Sequence, residues 1–129
     1  MPLPTQLVPW LAVRRAAQAV EFYRAAFGAV EVFRLEDGGA VVARMAVGGA
    51  EFWLSDESPE NGNFSPETLH GATARLILSV ADPDAVFAQA LAAGAAQISP
   101  VEEAHGWRSG RVVDPFGHHW EIGRPTDAA

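Results

Sequence analysis

Cysteine is absent from this chain, and so is lysine. Without a thiol there is no disulfide framework, no thiolate metal site and no thiol nucleophile. Without lysine there is no Schiff-base chemistry; all nine basic residues are arginine. Positive charge is also scarce. Nine basic residues against 16 acidic ones leave a formal charge of −7, which argues against a nucleic-acid partner because phosphate contacts need a basic face. No apolar run approaches the roughly 18 residues of a membrane span. The opening Met1-Pro2-Leu3-Pro4 has no charged stretch leading into an apolar one. The expectation is a cytoplasmic protein without membrane or nucleic-acid partners. Two other signals are missing: no Ser/His/Asp set stands out, and the Gly38-Gly39 and Gly48-Gly49 pairs lead into strands, not into the helix that a phosphate loop needs. What is there is 129 residues, 49% hydrophobic and 19% charged. That is enough for one globular domain, which should bury about two-thirds of its unfolded surface.

The most informative feature is an internal repeat. Leu11-Ala12-Val13 leads into a helical stretch closed by Gly28, and Leu78-Ser79-Val80 into one closed by Gly94. Gly49-Ala50-Glu51-Phe52-Trp53-Leu54 then corresponds to Gly117-His118-His119-Trp120-Glu121-Ile122. The three landmarks keep offsets of 67, 66 and 68 residues. Two copies are too few for a solenoid, so the chain reads as two modules, 7–57 and 74–124, joined by a polar, turn-rich linker over 58–73. In the first, a strand at 7–13 precedes a helix at 15–27 with an apolar stripe at Ala16, Val20, Tyr23 and Phe27. Strands follow at 29–36, 40–47 and 50–56. In the second, a strand at 74–80 precedes a helix capped by Asp82, with Pro83 at its first position and Gly94 past its end. Strands follow near 97–103, 108–113 and 118–123.

The order β-α-β-β-β, twice, predicts an α+β fold: a curled, cup-shaped mixed sheet with the helices on the outside. One helix per module covers only one sheet face. Alternation along the strands assigns side chains to the faces. Pro9, Leu11, Val13, Phe52 and Leu54 fall under the first helix, and Leu76, Leu78, Val80, Trp120 and Ile122 under the second. The opposite face receives Val8, Trp10, Ala12, Glu51, Trp53 and Ser55 from one half. From the other it receives Arg75, Ile77, Ser79, His119, Glu121 and Gly123. Aromatics beside charges are unlike an ordinary solvent face and suit a ligand cavity.

The paired modules, the helix Ala19-Val20-Glu21-Phe22-Tyr23 running to Phe27-Gly28, and Asp114-Pro115-Phe116-Gly117-His118 before the last strand resemble the vicinal oxygen chelate superfamily. That superfamily contains glyoxalase I, bleomycin-resistance proteins and extradiol dioxygenases. The resemblance covers essentially the whole chain and implies a homodimer. It also implies a divalent metal held by four side chains on the first and last strands of each module, usually His or Gln, Glu, His and Glu. Carried over by motif, those positions are Val8, Trp53, Arg75 and Glu121. Only Glu121 is a metal ligand by chemistry, and the Arg75 guanidinium is a permanent cation. The expectation is therefore no metal and no cofactor. The guanidinium should take the ion's place and pair with Glu121 within about 6 Å, either as a ligand-orienting pair or as a purely structural one.

The remaining candidates each carry two readings. His119 shares a face with Glu121, and the two with His70 or His105 could rebuild a metal site; alternatively His119 is a hydrogen-bonded histidine in a polar cavity. Trp10 and Trp53 are placed to stack on a planar or cationic ligand, or to plug the space it would use. Glu51 is either an attractant for a cation or an exposed edge glutamate. The 102–110 segment, with His105, Trp107 and Arg108, is either a flap whose Trp107 and Arg108 contact ligand or an ordinary hairpin. The resulting functional reading is a metal-independent small-molecule-binding protein resembling the bleomycin-resistance branch. Trp10, Trp53, Arg75, Trp107, Arg108, His119 and Glu121 would contact the ligand. The rival is a lyase or isomerase of glyoxalase type, with a rebuilt metal site or with metal-free acid/base work by Glu121 and Arg75 stabilising an oxyanion.

Overall fold

The computed structural model describes residues 2–126. Strand β1 (Trp10–Val13) leads into helix α1 (Ala16–Phe27) and strands β2 (Val30–Asp37), β3 (Ala40–Val47) and β4 (Ala50–Asp56). A 3₁₀ turn (Pro59–Asn61) and the single-turn helix α2 (Pro66–Leu69) follow. Strand β5 (Arg75–Ser79), helix α3 (Pro83–Ala93) and strands β6 (Ala96–Ala104), β7 (Trp107–Val113) and β8 (His119–Pro125) complete the order. The α+β class and the twofold β-α-β-β-β order are as expected. The strands form two separate four-stranded sheets, ordered β1-β4-β3-β2 and β5-β8-β7-β6. In each sheet the first strand pairs with the last in parallel, and all other pairs are antiparallel.

Local chemistry explains the helix boundaries. Asp82 Oδ1 accepts from the Ala85 amide at 3.1 Å and Pro83 opens α3. Helix α1 has Arg15 at the equivalent place, whose side chain caps nothing. Its cap comes from the end of β4 instead: Asp56 accepts from the Ala16 amide at 3.0 Å and from the Val41 amide at 2.7 Å. Gly28 ends α1 at φ 67°, a left-handed conformation that costs glycine little.

The core lies where the helix-bearing sides of the two sheets meet. Helix α1 packs against α3, and the Gln89 side-chain amide donates to the Ala25 carbonyl at 2.9 Å. Trp120 of the second sheet reaches into the first half, with its ring 4.8 Å from Phe27 and 5.5 Å from both Tyr23 and Phe52, centroid to centroid. Beneath these rings sits the buried carboxylate of Asp114. It accepts from the Tyr23 hydroxyl at 2.5 Å, the Trp120 indole at 2.9 Å, and the Phe116 and His118 amides at 2.9 and 3.0 Å. Four donors replace the lost hydration, so the charge needs no cation. Burial, and then the neighbouring Asp114 charge, push the Tyr23 phenol well above its ordinary pKa. A second tie joins the halves through His118, whose Nε2 lies 2.9 Å from the Ala12 carbonyl.

One expectation needs correction, and two segments take a definite form. The first strand starts at Trp10 and not at residue 7, and Pro9 is exposed rather than under the helix. Proline has no amide to extend a ladder, so its carbonyl, accepting from Trp53 at 2.9 Å, is its last contribution to β4. The polar, turn-rich 58–73 segment contains the 3₁₀ turn and the single-turn helix α2. Glu57 holds it by accepting from the Ser65 amide and the Thr68 hydroxyl, both at 2.9 Å, and the same bonds keep its carboxyl below the usual range. Of the two readings of the 102–110 segment, the hairpin is the one observed, with a two-residue turn. His105 and Gly106 both have positive φ, 55° and 81°, which matches the twist of the flanking strands.

Candidate functional site

The side of each sheet away from the helices is open, and the two open faces differ in chemistry. On the first, neighbouring strands place Trp10, Trp53, Arg44 and Phe33 in one row across the sheet. The Trp10 and Trp53 rings stack, 5.3 Å apart and 11° from parallel. The Trp10 indole N–H donates to Ser55 Oγ at 2.9 Å, fixing the ring's rotation. From the other side the Arg44 guanidinium sits 5.3 Å from the Trp53 centroid, within cation–π range, and Phe33 meets Trp53 edge-on at 5.7 Å. Arg44 is also bound to Glu51. Trp10 remains 52% exposed, so one end of the aromatic stack is open to a ligand.

On the second face, Arg75, His119, Glu121 and Arg111 come together. Arg75 Nε lies 3.4 Å from Glu121 Oε1, inside the 6 Å limit. The pair is more solvated than a metal-replacing guanidinium requires, with the arginine side chain 51% and the glutamate 24% exposed. Such a pair contributes at most about 1 kcal/mol. His119 accepts at Nδ1 from Arg111 Nε and Nη2 at 3.3 and 3.2 Å, which leaves its ring proton on Nε2. Burial, then the Arg111 charge, lower the His119 pKa, so the imidazole is neutral at pH 7.

A groove of about 670 Å³ runs between the edge strands β1 and β5. Its lining includes Leu7, Trp10, Phe64, Leu69, Arg75 and Ile77. Of the residues singled out in the sequence, it brings Trp10 and Arg75 together. Trp53, His119 and Glu121 stand on the open faces on either side of it. Arg108 is elsewhere: it grips Asp84 at the start of α3 through two hydrogen bonds of 2.7 and 2.6 Å, on the helix side of its sheet. That pairing holds the Asp84 carboxyl below its ordinary pKa. Trp107 sits at the end of the β6–β7 hairpin opposite Pro125, 39% exposed. Alternation along β3 and β7 would have placed Arg44 and Arg111 on these faces, but the sequence reading extended it only to the first and last strands of each half.

The donor set does not suit the divalent metal that the resemblance implies. Valine, tryptophan and arginine at positions 8, 53 and 75 offer no lone pair to a cation, and Glu121 is engaged by Arg75. A rebuilt site fares no better. Among the described residues, no group of three His, Asp or Glu side chains is close enough to hold an ion.

Comparisons with known proteins bear on the family and the fold. The family model described as the Glyoxalase/Bleomycin resistance protein/Dioxygenase superfamily matches residues 5–122. The uncharacterized protein Rv0887c of Mycobacterium tuberculosis is 40% identical over 126 residues, spanning 93% of this chain and 74% of the relative. Among solved structures, a gene product of Arabidopsis thaliana is 30% identical with a TM-score of 0.70, covering 95% of this chain and 98% of that one. TioX from Micromonospora sp. ML1 is 26% identical with a TM-score of 0.73, covering 97% and 99%. The fosfomycin resistance protein FosX of Listeria monocytogenes shares the fold alone, at 14% identity and a TM-score of 0.75 over 98% and 97%. The chain thus belongs to the glyoxalase/bleomycin resistance/dioxygenase superfamily.

Proposed function

We propose that this protein binds a small, flat compound without a metal ion, by stacking it on the exposed end of the Trp10–Trp53 pair. The observation that carries the reading is that stack: two parallel indoles, locked by Ser55 on one side and Arg44 on the other, with half of Trp10 in solvent. A preset aromatic platform loses little entropy when a planar ligand settles on it. The charges favour planarity over positive charge as the recognised property. Glu51 is paired with Arg44 and Glu121 with Arg75, so neither carboxylate is left free for a cation.

A homodimer belongs to the same reading. Phe33 and Leu35 on the first open face are about half exposed, and a second copy facing them would close the cup that one chain leaves open. Light scattering at micromolar concentration should give twice the chain mass; a monomer overturns the dimer. The binding reading is tested by titrating flat aromatic probes, neutral riboflavin and cationic 9-aminoacridine, in buffer containing a chelator. The expected result is saturable fluorescence quenching that Trp10→Ala weakens about tenfold or more, the loss of one stacking partner. Binding that appears only after a divalent metal is added, or no saturable binding of either probe, overturns it.

A further inference from the structure

Seven of the nine arginines have a carboxylate within 4 Å: Arg14, Arg15, Arg24, Arg34, Arg44, Arg75 and Arg108. Arg124 is exposed and donates to the Ala81 carbonyl. Arg111 differs from all of them. It is half-buried on the second open face, it has no carboxylate within 4 Å among the described residues, and its hydrogen bonds go to an imidazole nitrogen. Its cross-strand neighbour Glu121 is paired with Arg75, so the Arg111 charge has no ion-pair partner within 4 Å among the described residues.

Arg111 lines a recess of about 270 Å³ together with Arg75, His119, Thr73 and the backbone of Ala72 and Ala74. The side chains that supply hydrogen bonds there are two guanidiniums, a hydroxyl and an imidazole whose proton is on Nε2. No carboxylate lines it. Every ionised group in the recess is therefore a cation, and the neutral imidazole offers a donor. The usual solution to such a concentration of forked donors is an oxyanion, which accepts two parallel bonds from one guanidinium.

We infer that the Arg111–Arg75–His119 recess is an oxyanion subsite, so that the bound compound carries a carboxylate or phosphate group in addition to its flat part. The inference rests on the small-molecule reading above but not on the aromatic stack. Arg111 supplies the fork from Nη1 and Nη2, and His119 is a neutral N–H donor held in that tautomer by Arg111 itself. Arg75 remains shared between Glu121 and the ligand. Glu121, ion-paired with Arg75 at 3.4 Å, keeps that guanidinium at the rim.

The probes are inorganic phosphate and benzoate, each added at constant ionic strength and fixed pH to the chelator-treated full chain, with the His119 ring followed by NMR. The expected result is a saturable shift of the His119 resonances by at least one of the two. Phosphate alone points to a tetrahedral group, benzoate alone to a planar carboxylate. Arg111→Gln should weaken the effect at least about tenfold, the loss of a charged hydrogen bond, while Arg124→Gln leaves it unchanged. If Arg111→Gln fails to fold, Arg75→Gln gives the same reading with a smaller loss. No saturable shift by either anion, or equal weakening in Arg124→Gln, overturns the inference. Phosphate has no ring to stack and riboflavin has no charge. Failure of one titration and success of the other therefore separates the oxyanion subsite from the aromatic platform.

Discussion

The two halves repeat each other closely on the side that faces the helices and hardly at all on the side that does not. Towards the core, Leu11 corresponds to Leu78, Phe52 to Trp120 and Leu54 to Ile122, each apolar and each buried. On the open faces, Val8 corresponds to Arg75, Trp10 to Ile77, Glu51 to His119 and Trp53 to Glu121. Packing constrains the first set, because a core at close-packed density tolerates little change of volume or polarity. Nothing inside the chain constrains the second. One face has become an aromatic platform and the other an ionic cluster, on equivalent strands in equivalent register. The lesson is that this scaffold separates folding from recognition by the parity of a residue along its strand.

Substitutions on the two sides should therefore behave differently, and the largest effect should come from the joint of the core. Asp114→Ala strands four donors in the interior and should cost at least about 3 kcal/mol, given about 1–3 kcal/mol for each buried group left unsatisfied. Urea unfolding measures it; a loss below about 1 kcal/mol would show that the halves do not depend on this carboxylate. Next comes Leu54→Ala, fully buried, which should lose about 2–5 kcal/mol. Its neighbour Trp53, on the open face, should cost much less stability as Trp53→Ala while abolishing the stacking platform. Equal losses at 53 and 54 would erase the distinction between the faces. Smaller still, Glu121→Gln should change stability by less than about 1 kcal/mol, because its ion pair is half solvated.

The smallest effect is on pH dependence. His119 has a lowered pKa in the folded state, so the unfolded chain takes up the proton more readily. The stability that the neutral ring contributes is present above the unfolded pKa, about 6.5, and is lost as pH falls through the folded value. Melting temperature should fall below pH 6.5 more steeply in the native chain than in His119→Gln. Identical slopes would mean that the ring is no less basic in the folded protein.

Much of this was legible in the residues. Gly28, Gly94, Asp82-Pro83 and the Asp37-Gly38-Gly39 turn punctuate the chain locally, and local punctuation is what a sequence carries in the open. The duplicated landmarks place Trp10, Trp53, Arg75, His119 and Glu121 on the open faces, and the Arg75–Glu121 contact follows from the family resemblance, which sets the two positions around one ion, and from their opposite charges. What escaped was non-local. Asp56 caps a helix that starts 40 residues earlier in the chain. Arg108 pairs with Asp84, 24 residues away on α3 and on the helix side of the sheet, where the sequence reading had it reaching a ligand. Asp114 reads as a turn residue, and its Tyr23 partner lies 91 residues away.

That last contact sets how the molecule can come apart. Its two side-chain donors come from the first helix and the final strand, near opposite ends of the polypeptide, so neither repeat keeps a closed interior without the other. Cutting the backbone between Gly71 and Thr73 should give fragments that stay unfolded apart and regain structure only when mixed, and the intact chain should melt in a single cooperative step.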